Sequence, residues 1–190
     1  MKIGIFGGAF DPPHMAHVWL AGWALSACNL DKLLIVPCWG HAFGKQMSPY
    51  NARMEMCRRA FSIYDESRVQ VSALEASLKS QYTVDLLRAL KLHSRPEEEL
   101  VLFVGADEYA SLMRGEWHES KAILEMVSVQ VMGRLGTTQS TIAPALPSIS
   151  STQIRQYIRV GATPWGQVPS NVLDYLKDQG LYLDPPDPNH

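Results

Sequence analysis

A chain of 190 residues is long enough for one well-cored domain and short for two. Hydrophobic residues make up 46% and charged residues 19%, and a net charge of −2 exerts no bulk pull on nucleic acid or an anionic membrane, so any anion site must be local. The three cysteines, Cys28, Cys38 and Cys57, are odd in number and lack CxxC spacing, which argues against a disulfide framework or zinc knuckle and for a reducing cytoplasm. The first residues lead straight into a strand-like segment with no basic region or long apolar run, so neither secretion nor a membrane span is expected.

Short runs rich in Val, Ile and Leu alternate with stretches of helical period, the pattern of parallel strands buried on both faces. Five main strands are expected: Lys2 to Phe6, Lys32 to Val36, Arg68 to Ser72, Leu100 to Val104 and Val127 to Met132. The first helix is expected from Met15 to Cys28, with Met15, Val18, Trp19, Gly22 and Leu25 on one face. Ser48 can cap a second helix, Pro49 suits its first turn, and Met54, Cys57, Phe61 and Tyr64 then recur at helical spacing. Thr83 to His93 repeats the pattern with Val84, Leu87 and Leu90. Two more helices close the chain, one after Ser151 and one from Pro169 to Gly180, whose glycine sits just past the helix end. The order is that of an α/β protein with an open, doubly wound parallel sheet flanked by helices and a C-terminal helical segment. The polar stretch Gly136 to Pro147 reads as a mobile loop and residues 185–190 as a loose tail, leaving 1–184 as a single domain.

In such a sheet, chemistry collects at the C-terminal ends of the strands. Strand one ends in Gly7-Gly8-Ala9-Phe10-Asp11-Pro12-Pro13-His14-Met15-Ala16-His17. The glycines let backbone approach a ligand closely, and the prolines stiffen the loop. His14 and His17 open the following helix three residues apart, so both imidazoles share a face with the unpaired N–H groups of the helix start. That combination fits phosphate. Three other readings stay open: a metal site, for which no nearby Cys or Glu completes a tetrahedral set; a purely structural histidine pair; and a dinucleotide-binding oxidoreductase, which lacks G-x-G-x-x-G. A second anion site is expected at Ile149-Ser150-Ser151-Thr152-Gln153-Ile154-Arg155, where Ser150 and Gln153 have capping-box spacing and the Arg155 fork can meet polyphosphate. An ordinary capped helix explains the same residues.

The two segments together resemble the nicotinamide or nicotinate mononucleotide adenylyltransferases of the nucleotidyltransferase superfamily. GGAFDPPHMAH is similar to that family's opening signature and SISSTQIR to its closing one, with YTVDLL, FVGAD, Trp117 and VPSNVLDYLKDQGLY in the expected order. The resemblance implies a Rossmann-like nucleotidyltransferase fold and transfer of the adenylyl group of ATP to a pyridine mononucleotide. It implies that His17 and His14 act on the ATP phosphates, His17 foremost, beside backbone from Gly7, Gly8, Ala9 and Phe10. Ser151, Thr152 and Arg155 would hold the polyphosphate, and Gly105 with Asp107 would meet the adenosine ribose. Phe10, Lys45, Thr83 and Trp117 would form the mononucleotide side, the Trp117 indole offering a flat face for stacking. Mg²⁺ would arrive bound mainly through the ATP phosphates, with no protein metal site. No nucleic acid or membrane partner is implied, and a homo-oligomer stays open. Ala16 stands where relatives usually carry Gly, and Leu86 where bacterial relatives often carry a second Thr, which leaves nicotinate against nicotinamide undecided. The competing classes are a relative that uses another phosphorylated acceptor, such as phosphopantetheine, and a non-catalytic nucleotide sensor.

Overall fold

The computed structural model describes residues 1–40, 44, 46–95, 97–136 and 143–183. In chain order the elements are β1 (Lys2–Gly8), α1 (Met15–Ala27), β2 (Lys32–Pro37), α2 (Tyr50–Phe61), β3 (Val69–Val71), α3 (Leu74–Leu78), α4 (Thr83–His93), β4 (Glu99–Gly105), α5 (Ala106–Met113), α6 (Ser120–Met126), β5 (Ser128–Arg134), β6 (Ala145–Leu146), α7 (Ser151–Arg159) and α8 (Ser170–Asp178). The strands form one sheet in the order β3-β2-β1-β4-β5-β6, and each neighbouring pair is parallel. The chain winds outward from β1 through β2 to β3, then returns to the other side of β1 with β4. This reversal places a crevice beyond the C-terminal ends of β1 and β4, where doubly wound sheets bind ligands.

Strand residues alternate between two cores. Phe6, Leu33, Ile35, Val101 and Phe103 pack toward α1, α2, α7 and α8. Ile3, Ile5, Leu34, Val36, Leu100, Leu102 and Val104 pack toward α4, α5 and α6. Burial on both faces is why the strands read as unbroken apolar runs. Each fully buried Leu, Ile or Phe contributes about 1.5–3 kcal/mol. Gly4 is fixed by space, since a Cβ there would come within 2.5 Å of Leu30 and 2.7 Å of Leu33.

Four local readings change. A sixth strand, β6, lies inside the stretch read as a loop, its Ala145 and Leu146 pairing with Gly133 and Arg134; residues 137–142 of that stretch and the tail at 185–190 lie outside the described residues. The inward face of α1 is Ala16, Val18, Leu20, Ala21 and Ala24, while Met15 and Trp19 are exposed. This helix is apolar on nearly every side, so periodicity does not choose a face, and small side chains pack inward. Pro49, not Ser48, occupies the cap position of α2, and the Ser48 N–H donates to the Asp11 carboxylate at 3.2 Å. Ser150 does precede α7, but without a side-chain capping bond.

Candidate active site

A cleft of about 710 Å³ opens at the switch point, with Gly7, Gly8, Ala9, Phe10, His14 and His17 on one wall and Gly105, Asp107, Thr83, Trp117 and Ser151 around the rest. Gly7 leaves it open, since a Cβ at that position would find no heavy atom nearer than the Val36 carbonyl at 4.0 Å. Phe10 turns the chain with φ of 48°, a left-handed conformation uncommon for a bulky residue. Its ring is buried edge-on against Phe6 and Phe61, which holds that turn in place.

His14 is the cap residue of α1 and His17 lies in the first turn. Their rings stack, centroids 3.6 Å apart and planes 14° from parallel. The His14 backbone N–H donates to Nδ1 of His17 at 3.1 Å. Nδ1 of His17 is therefore an acceptor, and a neutral ring with that nitrogen bare carries its proton on Nε2. Burial, followed by the positive charge of Arg134, pushes His14 down to about 4. Burial, His14 and Arg134 hold His17 well below the usual imidazole range. At neutral pH the free protein thus presents two neutral imidazoles, so the histidines supply hydrogen-bond donors here and Arg134 the fixed positive charge. Nδ1 of His14 is buried with no hydrogen-bond partner among the described residues.

The start of α7 meets the same loop from across the cleft. Ser151 Oγ donates to the Pro12 carbonyl at 2.8 Å, and Arg155 donates to the Asp11 carbonyl at 2.6 Å and reaches Thr152 Oγ1 at 3.3 Å. Ser151 is on the cleft wall, while Thr152 and Arg155 are not. The guanidinium expected on polyphosphate braces the backbone behind it. Gly105 caps α5 and Asp107 lies in its first turn. Thr83 begins α4, and Trp117 both faces the cleft and packs on the second core. Lys45 lies outside the described residues. Leu86 is 2% exposed in the core beneath α4, so the departure at that position does not alter the cleft wall.

Several residues passed unnoticed in the sequence. Arg53 is 1% exposed on α2 and donates to the carbonyls of Ser48 at 3.0 Å, Ala9 at 3.0 Å and Cys38 at 2.9 Å, tying the ends of β1 and β2 together. On an amphipathic helix it looked like any surface cation. Glu75 is buried on the cleft wall and accepts the Trp39 N–H at 3.0 Å; burial pushes its carboxyl up to about 7 against the lowering effect of that bond and of Arg53. Tyr82 and His118 stack obliquely at 4.5 Å by the mouth. Arg134, on the wall at the end of β5, gave no signal because a single arginine after a strand has no pattern.

Residues 5–157 match the family model described as cytidylyltransferase-like. Over 188 residues the chain is 35% identical to a protein of Anaeromyxobacter dehalogenans named "probable nicotinate-nucleotide adenylyltransferase", covering 95% of this chain and 96% of that one. The chain belongs to this family. A Thermus thermophilus member of the same name is 33% identical, covering 96% of this chain and all of the other. The Plasmodium falciparum nicotinic acid mononucleotide adenylyltransferase complexed with NaAD superposes with a TM-score of 0.79 over 95% of this chain and 97% of that one; at 19% identity it speaks for the nucleotidyltransferase fold alone. No helix among the described residues is long and apolar enough to cross a membrane.

Proposed function

We propose that the chain transfers the adenylyl group of ATP to nicotinate mononucleotide, giving the deamido dinucleotide and pyrophosphate. The observation that carries this is the stacked His14–His17 pair at the switch-point cleft, in a chain whose full-length relatives are named for that activity. An acceptor phosphate oxygen attacks the α-phosphorus of ATP, a new P–O bond forms as the bond to the β-phosphate bridging oxygen breaks, and pyrophosphate leaves. Charge builds on the nonbridging oxygens, and Nε2–H of His17 is the donor placed to meet it. A donor that binds charge as it develops lowers the barrier more than it tightens substrate binding. No covalent nucleophile is required; the remaining work is alignment of two phosphates.

Backbone of Gly7, Gly8, Ala9 and Phe10 lies against the reacting phosphates, with His14 stacked behind His17. Gly105 and Asp107 take the ribose, and Ser151 leads the polyphosphate side with Thr152 and Arg155 behind it. Thr83, Trp117 and Phe10, joined by Lys45, take the mononucleotide. Among the described residues no three His, Cys, Asp or Glu are grouped to hold a metal ion. Glu75, Asp107, Glu108 and Glu116 line the cleft, and Mg²⁺ carried in on the triphosphate would keep phosphate and water ligands and neutralise phosphate charge there.

The test is incubation with ATP, Mg²⁺ and either nicotinate or nicotinamide mononucleotide. Pyrophosphate and dinucleotide should appear, with the nicotinate form turned over faster. Binding of ATP without pyrophosphate release from either acceptor contradicts the reading and favours a sensor.

A further inference from the structure

The segment after α8 reaches the phosphate loop, although 171 positions separate the residues that touch. The Tyr182 hydroxyl donates to Oδ1 of Asp11 at 2.6 Å, while the Ser48 N–H donates to Oδ2 at 3.2 Å. Asp11 is 3% exposed. Its carbonyl accepts from Arg155 at 2.6 Å, and the Arg155 guanidinium stands 4.0 Å from Oδ2. A buried carboxylate with a donor on each oxygen is costly to disturb. Here it sits between Phe10, held at φ of 48°, and the Pro12-Pro13-His14 run that begins α1.

Tyr182 is itself held in the left-handed region, at φ of 66°. A bulky residue there is strained by about 1–3 kcal/mol, so the contacts it makes must offset that cost. Its ring packs against the core shared by α1 and α2, and the hydroxyl also lies 3.8 Å from Met56 Sδ. Burial, and then the Asp11 carboxylate, push the phenol above its usual range, so it remains a donor throughout the neutral region.

We propose that Tyr182 is a positioning residue for adenylyl transfer, fixing through Asp11 the loop that carries Phe10, His14 and His17. It touches no reacting atom in this account, and it rests on the adenylyl-transfer reading above. Misplacement of a reacting group by about 1 Å can cost on the order of 10²-fold in rate.

The test uses the full chain carrying Tyr182→Phe, which keeps the ring and deletes the hydroxyl, beside Asp11→Asn and the double variant. Tyr182→Phe should lower kcat by about 10- to 100-fold with KM for ATP within about threefold, in a chain that stays folded at the assay temperature while its thermal midpoint falls by about 3–12 °C. The double variant should be no slower than the slower single, because both break one linkage. Wild-type kcat in Tyr182→Phe, multiplied losses in the double variant, or a kcat that returns to the wild-type value well below the variant's thermal midpoint would each overturn it. A wild-type chain that releases no pyrophosphate sinks the activity itself and this inference with it, whereas an active wild type with an unaffected Tyr182→Phe sinks the inference alone.

Discussion

His14 and His17 stand on a loop braced by Arg53, Asp11, Arg155 and Tyr182, whereas the other end of the cleft draws Thr83 from α4 and Trp117 and His118 from the turn between α5 and α6. At the phosphate end the run Phe10 to His14 is buried and cross-tied; the acceptor end is half exposed, with Tyr82 and His118 at its mouth. Phosphate chemistry needs fixed donors at fixed distances, and braces supply them. Recognition of a flat ring depends more on area covered and tolerates looser walls. Substitutions at the two ends should therefore separate kinetically, with the phosphate end governing kcat and the acceptor end KM.

The largest effect is expected at Arg53. Arg53→Met deprives three backbone carbonyls of a charged donor and should cost on the order of 5 kcal/mol, enough to unfold a marginal domain. Chemical denaturation measures it, and a loss under about 1 kcal/mol would mean that the brace is incidental. Next comes His17→Ala, expected to reduce kcat by roughly 10²- to 10³-fold, or about 2.7–4 kcal/mol, with KM for ATP little changed. Steady-state pyrophosphate release separates the two parameters; an effect confined to KM would move His17 from transition-state donor to simple ligand.

These two positions show what a sequence discloses. His17 was legible because a Gly-Gly strand end, two prolines and histidines three apart form a contiguous pattern. Five strands were legible because burial on both faces leaves apolar runs, and α4 because Thr83 to His93 is amphipathic. Short α3, α5 and α6 have too few turns to display a period, and β6 is two residues in a polar stretch. Arg53, Arg134 and Tyr182 act through partners far along the chain, which no local spacing reveals. Arg155 was found, but its direction was not: only the fold shows it turned toward the Asp11 carbonyl.

A smaller effect follows from the proton balance at His14. Its folded value of about 4 lies below the ordinary 6.5, so between those limits the unfolded chain binds the proton that the folded one refuses. Stability is undiminished above pH 6.5 and falls as pH drops toward 4, by about 3 kcal/mol for this group. Glu75, raised to about 7, acts with the opposite sign between 4.5 and 7. The His14 contribution is isolated by comparing wild type with His14→Phe, and the wild type should lose more on acidification. Equal slopes would place a solvated imidazole at His14. Smallest is Trp117→Ala, expected to raise KM for the mononucleotide about tenfold, with kcat within about threefold. A fall in kcat alone would break the contrast between the ends.

The central claim is that the phosphate end works with a neutral His17 that offers Nε2–H. Nitrogen-15 NMR of the histidine rings in the free protein at pH 7 tests it most directly. The result expected is a His17 ring with Nδ1 bare and Nε2 protonated, its titration displaced well below the usual imidazole range. A ring protonated on both nitrogens at neutral pH, or on Nδ1 alone, would contradict it.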